Sequence, residues 1–454
     1  MSGFRGCVLP ALPAFAPDSV SGIGSVRTGI RLRWASASFT TASAASKASQ
    51  EITRFVVSCD AIEASTIPPL GEPYIAPVAV ALVPMIESGR LRPMPELAAF
   101  SDSYAEARRK FVEAARRAGA KLTSYQHPVE RGPGGEALYL DVSVLGPGDA
   151  SRVFVVGSGT HGIEGYSGSA AQRAWLRGRP RLPKDTAVIF FHAQNPWGFA
   201  HKTRTTEENV DLNRNFIDFG KPLPANPGYL ELHPLLAIRQ WNEAAVAGVF
   251  AALDAFRDRV GEKAFSDAFN GGQYSHPDGI FYGGARRQWA NSAFRAAVET
   301  HLETARSVAF LDLHTGIGPW CEHVYLCFHP EGSPARERAR AWWGERAVNL
   351  QGVTHKKLAT YSGTIIDAFA QMLPSAEVTT IVVEFGTLPR RDMQRAGLAQ
   401  RWMRFEGPRD PVLAAKVRRE YEAAFYPADP AWRKAVLEQS QEFIDRGVAG
   451  ISTS

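Results

Sequence analysis

A histidine and a glutamate three residues apart, directly after an apolar run, have side chains with metal-binding chemistry. They are His161 and Glu164, in the stretch 157–164, which reads GSGTHGIE. A neutral imidazole nitrogen and a carboxylate oxygen both suit zinc, and the glycines let the backbone turn sharply and leave room for a substrate. Taken alone, the pair also fits an ordinary loop with a surface glutamate and a packed histidine.

A second histidine strengthens the metal interpretation. The apolar run 308–313 ends in His314, followed by Thr-Gly, and the apolar run 153–156 precedes His161 in the same way. In open α/β sheets, ligands bind beyond the carboxyl ends of the strands, so the two histidines could meet in space. Two histidines and one glutamate with an open fourth position make up a catalytic zinc set.

Two further stretches carry polar groups that need an explanation. Glu384 lies at the end of the apolar run 381–385, where a charge is unfavourable unless it is paired or functional. A buried salt bridge is the alternative explanation. The stretch 211–216 reads DLNRNF, and its alternative explanation is a turn in which Asp and Asn bond to local backbone groups.

The elements that would position these residues are short apolar strands that alternate with helices. A helix begins at a capping box around Ser103 and stops near Gly119. Strands are predicted at 138–144, 153–156, 188–191, 308–313, 324–328 and 380–385, and helices at 170–177, 237–260, 291–306, 410–425 and 432–446. This alternation predicts an α/β fold with a mixed, mostly parallel sheet covered on both faces.

The composition fits a globular protein and excludes some partners. The chain has 454 residues, of which 45% are hydrophobic, enough for one large domain or two ordinary ones. The net charge is +5, but residues 1–50 carry +4 of it, so the remaining chain is nearly neutral and indicates no nucleic-acid partner. The four cysteines form no Cys-x-x-Cys pair, which indicates a reducing compartment. A Cys321–Cys327 bridge stays open as an alternative.

The amino-terminal segment has a different composition from the rest. Residues 1–50 are rich in Ser, Ala and Arg and hold one acidic residue, which fits a mitochondrial transit peptide, a secretory signal or an over-long start assignment. Prolines within residues 8–16 weigh against the secretory signal. We predict a leader over residues 1–95 that is not part of the fold and a catalytic domain over 96–450. The predicted location is cytoplasmic, or mitochondrial if a transit peptide is present.

No membrane association is predicted. The run 74–86 is apolar, but it is short and contains Pro77 and Pro84, whereas a helix that spans a bilayer needs about 20 apolar residues. The oligomeric state is left open.

Five motifs, taken in order, resemble those of a known group. They are GTHGIE at 159–164, NPWGF at 195–199, DLNRNF at 211–216, LDLHTG at 311–316 and VEFGT at 383–387. Their order is similar to that of M14-type zinc carboxypeptidases and of their aspartoacylase and succinylglutamate desuccinylase relatives, and the chain most resembles the DUF2817 family. The resemblance covers roughly residues 101–447 and implies a zinc carboxypeptidase-like sheet of about eight strands flanked by helices.

The resemblance also implies roles for individual residues. His161, Glu164 and His314 match the ligands of one zinc ion per chain, and Glu384 matches the glutamate that activates water. Asp211 matches the aspartate that orients the first histidine ligand through its ring.

Substrate contacts follow from the same resemblance. Asn213 and Arg214 match the pair that holds a substrate carboxylate, for which the planar fork of arginine is suited. Arg204 matches the arginine that polarises the scissile carbonyl, although its spacing to Asn213 differs from that in digestive carboxypeptidases. Tyr361 is the candidate for their substrate-binding tyrosine, although the sequence between it and Glu384 departs from their pattern.

These matches predict a metallo-hydrolase that cleaves an amide bond next to a carboxylate-bearing group of a peptide or small molecule. The alternatives are an aspartoacylase-like deacylase of N-acyl amino acids and a non-catalytic metal-binding protein on the same fold. A serine hydrolase is disfavoured because the residues around Ser167 fail the Gly-x-Ser-x-Gly pattern. Seven other histidines are predicted to be packing or surface residues: His192, His201, His233, His276, His323, His329 and His355.

Overall fold

The central element of the protein is a seven-stranded sheet. The structure is a computed structural model, and it describes residues 97–178, 180–344, 359–407 and 410–453. The strands are β1 (Lys121–Arg131), β2 (Ala137–Leu145), β3 (Arg152–Ser158), β4 (Thr186–His192), β5 (Ser307–Thr315), β6 (His323–Leu326) and β7 (Glu377–Phe385). Their order across the sheet is β1-β2-β4-β3-β5-β7-β6.

The sheet is mixed, with a parallel centre. Strands β4, β3, β5 and β7 run parallel to one another. The edge strands pair antiparallel: β1 with β2, β2 with β4, and β6 with β7. The expected mixed, mostly parallel sheet is therefore confirmed. The described residues form seven strands, where about eight were expected.

Some helices cover the faces of the sheet and others pack away from it. They are α1 (Tyr104–Ala118), α2 (Gly165–Arg177), α3 (Pro196–Ala200), α4 (Pro227–Leu236), α5 (Glu243–Val260), α6 (Glu262–Asn270), α7 (Trp289–Leu302), α8 (Pro334–Trp343), α9 (Ile365–Met372), α10 (Arg390–Phe405), α11 (Pro411–Phe425) and α12 (Pro430–Ser452). The first helix begins and ends as predicted, because Ser103 accepts a hydrogen bond from the Glu106 amide and Gly119 adopts a left-handed conformation. None of the described helices is long and apolar enough to cross a membrane.

The two faces of the sheet bury separate cores. Side chains alternate along each strand, so Phe154 and Val156 of β3 pack with α1, α2, α8 and α12 on one face. Val153 and Val155 pack with α7 and α9 on the other face. The runs of apolar residues in the central strands follow from this burial on both sides.

A third core lies among helices away from the sheet. Side chains of α4, α5 and α6 pack there against α10 and α11, around residues such as Phe250 and Trp402. The helix predicted at 237–260 is shorter than expected, because residues 237–242 are not helical and α5 begins at Glu243. A separate helix, α4, precedes this connection. The predicted leader over residues 1–95 lies outside the described residues.

Candidate active site

The first two predicted ligands lie in the turn between β3 and α2. Gly162 lets this turn approach α3, because a Cβ on Gly162 would lie 1.9 Å from the carbonyl carbon of Gly198. Backbone bonds from Gly162 and Ile163 to the carbonyls of residues 204 and 203 hold the same turn. His161 and Glu164 are thereby fixed in buried positions, with 4% and 2% of their surface exposed.

The third ligand and the predicted base come from neighbouring parallel strands. His314 lies near the end of β5 and is the register partner of Glu384 on β7. Directly paired residues on adjacent strands lie on the same face of a sheet, so both side chains face the turn that carries His161. The sheet therefore brings together residues that are far apart in the sequence, as expected for the carboxyl ends of parallel strands.

Three ligand-type side chains converge at this point. Nδ1 of His161 and Nδ1 of His314 lie 3.2 Å apart. Each of these nitrogens lies 3.0 Å from one oxygen of Glu164. The three side chains form a group that could hold a metal ion, with ligand atoms within 4.8 Å of one another.

The outer nitrogens of both histidines face carboxylates. Nε2 of His161 lies 3.2 Å from Asp211, and Nε2 of His314 lies 2.7 Å from Asp312. A neutral imidazole that donates through Nε2 has its lone pair on Nδ1. Two lone pairs that face each other at 3.2 Å repel, and a cation held by both removes that repulsion. The donor set and its geometry therefore fit a divalent metal ion of the kind that prefers nitrogen and oxygen.

The charges at the site favour a cation as well. Burial raises the pKa of Glu164, but His161 and His314 outweigh burial and hold the pKa of this carboxyl well below its usual range. Burial lowers the pKa of His314, but Asp312 and Glu164 outweigh it and hold that pKa well above the usual range. The buried carboxylates thus stabilise positive charge at the position where the two rings meet.

Glu384 differs from the carboxylates around it. Burial raises the pKa of its carboxyl to about 7, and Glu164 adds to the rise. Its Oε2 is buried without a hydrogen-bond partner among the described residues. A carboxyl with a pKa near neutrality and an oxygen without a hydrogen-bond partner can exchange a proton with a neighbouring molecule. The alternative explanation was a buried salt bridge, and Glu384 forms none with the described residues.

Arg204 is held beside the predicted ligands. Its Nε donates to Asp211 at 3.0 Å and its Nη1 donates to Glu164 at 3.2 Å. Asp211 thus contacts both His161 and Arg204, and its pKa lies well below the usual value because Arg204 and His161 outweigh the effect of burial. These contacts position Arg204 at the site, and its effect on a substrate carbonyl stays a prediction.

The residues predicted to hold a carboxylate line the same cavity. Arg214 is 4% exposed. Its Nη1 and Nη2 donate to the backbone carbonyls of Asn213 and Asn270, at 2.7 and 2.8 Å. Its Nε has no hydrogen-bond partner among the described residues. The ring of Tyr361 lies 4.8 Å from its guanidinium carbon. The side-chain oxygen of Asn213 accepts from the Ile365 amide at 2.9 Å, which leaves the NH2 group of Asn213 for a ligand.

These side chains line one cavity of about 790 Å³. The members that the sequence predicted are His161, Glu164, Arg204, Asn213, Arg214, His314, Tyr361 and Glu384. Asp211 lies behind them, fully buried. A second depression, of about 880 Å³, lies between α1 and the β1–β2 edge and contains none of these residues.

Two contributors to the site were given no role in the sequence analysis, although one of them lies within the motif at 311–316. Asp312 holds His314 and also accepts from Thr160, with Oγ1 of Thr160 2.9 Å from Oδ2 of Asp312. The position of Asp312 two residues before His314 on one strand was a usable signal, because such residues share a face. Phe281 packs beneath the guanidinium carbons of Arg204 and Arg214, at 5.2 and 5.6 Å, and no motif predicted it.

The discounted histidines lie away from the site where they are described. His192 is buried and stacks on Phe111, His201 stacks on Trp197, and His233 stacks on His276. His355 lies outside the described residues. Cys321 and Cys327 are free thiols, so the bridge left open above is not formed.

Comparisons with known proteins give distant structural matches. Carboxypeptidase A from Helicoverpa armigera is 15% identical, with a TM-score of 0.35, and the match covers 71% of this chain and 74% of that one. A putative succinylglutamate desuccinylase/aspartoacylase from Shewanella frigidimarina is 15% identical, with a TM-score of 0.30 and 62% and 72% covered. Bovine thrombin-activatable fibrinolysis inhibitor is 11% identical, with a TM-score of 0.36 and 70% and 98% covered.

Among curated proteins none matches this sequence. The model of one family, described as "Protein of unknown function (DUF2817)", matches residues 100–439. Because this match spans most of the sequence and includes every residue of the candidate site, the chain belongs to the DUF2817 family.

Proposed function

We propose that this protein is a zinc-dependent hydrolase that cleaves an amide bond next to a carboxylate-bearing group. The observation that carries the proposal is the placement of Glu384 as the register partner of His314, beside a buried group of ligand-type side chains that could hold one metal ion. A carboxylate with an unpartnered oxygen next to such a group suits metal-assisted hydrolysis, in which a base must take a proton from water.

His161, Glu164 and His314 would hold the zinc ion. When bound, zinc supplies Lewis-acid chemistry, by which a carbonyl is polarised and a water molecule is acidified. The set of two imidazoles and one carboxylate is that of catalytic rather than purely structural zinc sites, because it leaves a position for a substrate or water.

The residues of the chain would then carry out the proton transfers and the binding. Glu384 takes a proton from the attacking water as the water oxygen bonds to the acyl carbon. Glu384 then passes this proton to the nitrogen as the C–N bond breaks, so the products are a carboxylic acid and an amine. Arg204 donates to the oxygen on which negative charge develops, and Arg214 with Asn213 holds the substrate carboxylate.

The substrate could be a peptide or an N-acyl amino acid, since both place an amide bond next to a carboxylate. A carboxypeptidase-like activity is the first candidate and an aspartoacylase-like deacylase is the second. A non-catalytic metal-binding protein is disfavoured, because it gives no reason for a buried glutamate that has an open oxygen beside the ligands.

The test compares Glu384→Gln with the parent. The amide keeps the shape of the side chain but takes up no proton, so activity should fall by roughly 10²–10⁴-fold while bound zinc stays near one ion per chain. Glu377→Gln is the matched control, because Glu377 lies at the opposite, exposed end of the same strand. His314→Ala should lose most of the zinc, as measured by elemental analysis.

Two results would contradict the proposal. Full activity in Glu384→Gln on N-acyl amino acids and dipeptides would remove Glu384 as the base. Zinc retained by His314→Ala would place the metal elsewhere.

A further inference from the structure

The cavity has an apolar wall directly beside the predicted base. Val382 precedes Glu384 by two residues on β7, so the two side chains share a face, and Leu326 on β6 is the register partner of Val382. Both are buried, at 5% and 7% exposed, and both line the cavity. Leu326 and Val382 therefore form one row across the sheet, and His314 and Glu384 form another. The two rows are two residues apart along the strands, a distance of about 7 Å.

The wall continues from this row towards Arg214. Ile366 of α9 packs in the same core cluster as Leu326 and Val382 and lines the cavity with Phe328. The ring of Phe328 lies 5.9 Å from that of Tyr361. Because Tyr361 in turn lies 4.8 Å from the guanidinium carbon of Arg214, apolar and aromatic surface connects the proposed carboxylate anchor with the proposed base.

The other lining arginines are already paired with carboxylates. Arg390 donates to Glu262 at 2.7 Å, and Arg401 contacts Asp278 and Glu406, each at 2.9 Å.

Arg204 is likewise engaged with Asp211 and Glu164. Within the described part of the lining, Arg214 is the one arginine without a carboxylate partner, so a second substrate carboxylate would lack a cation.

Basic side chains are disfavoured for a complementary reason. The lining carboxylates are Glu164, Glu262 and Glu384. The first belongs to the ligand group, the second is paired with Arg390, and the third is the proposed base. The apolar wall of Leu326, Val382 and Ile366 has no carboxylate that could pair with a lysine or arginine side chain. Burial of such a side chain against this wall would therefore be unfavourable.

We propose, on the basis of the function proposed above, that the released residue has one carboxylate and a large apolar side chain. Its carboxylate binds Arg214 and its side chain, of the leucine or phenylalanine class, packs on Leu326, Val382 and Ile366. Val382 is then a specificity-determining residue. A substrate whose released residue is aspartate, glutamate, lysine or arginine places a charged group against this wall and is disfavoured.

The first experiment measures kcat/KM of the zinc-loaded protein on matched N-acetyl and N-benzoylglycyl derivatives of Leu, Phe, Ala, Asp and Arg. Leu and Phe derivatives should be preferred over Ala by roughly 10–200-fold, as one to several methylenes in an apolar pocket allow, and over Asp and Arg by more. A preference for the Asp or Arg derivative would overturn the proposal.

The second experiment uses two neighbouring valines on one strand. Val382→Thr introduces a hydroxyl into the wall and should lower the Leu-to-Ala ratio of kcat/KM about tenfold. Val383→Thr is the matched control, because Val383 faces the opposite core and its change should leave the ratio within about twofold of the parent. Bound zinc and the melting temperature report folding in both variants. Equal ratios in the two variants would remove Val382 from the wall.

A binding measurement separates this inference from the proposed function. Calorimetric titration of the zinc-loaded protein with free L-leucine, L-phenylalanine, L-aspartate and L-arginine needs no turnover. Tighter binding of leucine and phenylalanine, by about tenfold or more, supports the apolar wall even if no amide is hydrolysed, in which case only the proposed function fails. Equal or reversed affinities would overturn the wall itself.

Discussion

At the scale of single residues, Asp211 and Asp312 decide which nitrogen of each histidine can bind a cation. Each accepts a hydrogen bond from Nε2 and so leaves Nδ1 as the ligand atom. A carboxylate in this position also holds the plane of the ring and raises the basicity of the ligand nitrogen. Asp312 is itself held by the hydroxyl of Thr160, so the carboxylate that contacts His314 is fixed in place.

We therefore expect Asp312→Asn to weaken metal binding. An amide can turn its NH2 group towards Nε2 and favour the wrong tautomer, so zinc affinity should fall by about 10–100-fold. Competition with a chromogenic chelator measures this change independently of catalysis. Asp149→Asn, at an exposed position, is the control and should leave the affinity unchanged. An unaltered affinity in Asp312→Asn would show that Asp312 does not position His314.

The convergence of His161, Glu164 and His314 was predictable because each follows or ends an apolar strand. Asp211 and Arg214 were found through a short motif. Asp312 was passed over because it reads as one more residue of a buried strand, and its role depends on the ring orientation of His314. Phe281 was not predictable, because its contact with two arginines depends on residues about 70 positions away along the chain.

At the scale of elements, the strands of the parallel centre were the most predictable part of the fold. They are buried on both faces, and their apolar runs show this directly. The strand β1 was missed because it is an edge strand with mostly exposed residues. Helix α10 was missed because its buried face includes Arg401, which is paired with Asp278 and Glu406. Such a pairing is invisible until the chain is folded.

The break in the predicted helix 237–260 has a similar cause. The carbonyl of Arg239 accepts from the indole of Trp402, at 3.1 Å, and the side chain of Asn242 caps α5 by accepting from the Ala245 amide. Trp241 packs in the third core. Local helical spacing favours one continuous helix, but residues 237–242 form a non-helical connection that contacts α10.

Gly162 lies in the turn between β3 and α2, where this turn approaches α3. A side chain at this position should therefore have a measurable effect. In Gly162→Ala the new methyl would meet the backbone of Gly198 at 1.9 Å, so the turn must move away from α3 and carry His161 with it. We expect a loss of roughly 1–3 kcal/mol in the free energy of unfolding and weaker zinc binding. Denaturant titration and chelator competition measure the two effects.

Gly248 provides the matched control. It lies inside α5, and a Cβ there would meet nothing within 4 Å. Gly248→Ala should therefore stabilise the protein by roughly 0.5–1 kcal/mol, because alanine is a better helix former than glycine. If Gly162→Ala matched Gly248→Ala in stability and zinc affinity, the close approach between the turn and α3 would not constrain the site.

At the scale of the whole molecule, the first residues that the structure describes pack against residues near the carboxyl end of the chain. The amide and carbonyl of Ser101 bond to the hydroxyl of Tyr426, at 3.3 and 3.0 Å. Phe100 packs in the same core as Trp432 and Ile444 of α12. The family match, over residues 100–439, lies within this part of the chain. Because Phe100 and Ser101 make these contacts, we predict that the folded domain includes them.

The last prediction concerns the segment that precedes Phe100 and Ser101. Residues 1–50 carry almost all of the net charge and one acidic residue, a composition that fits a targeting segment rather than a core. We expect limited trypsin digestion to remove residues up to about 95 and to leave a fragment with the melting temperature and zinc content of the full chain.

A chain that begins at residue 96 should behave in the same way, and one that begins at residue 105 is the informative comparison. The second lacks Phe100, Ser101 and the cap residue Ser103, so it loses apolar burial in the main core, the bonds to Tyr426 and the cap of α1. Loss of a cap alone costs about 1 kcal/mol, so its melting temperature should fall clearly below that of the full chain. If the chain from residue 96 unfolded or lost its zinc, residues before 96 would have to be part of the catalytic domain, and the predicted boundary would be wrong.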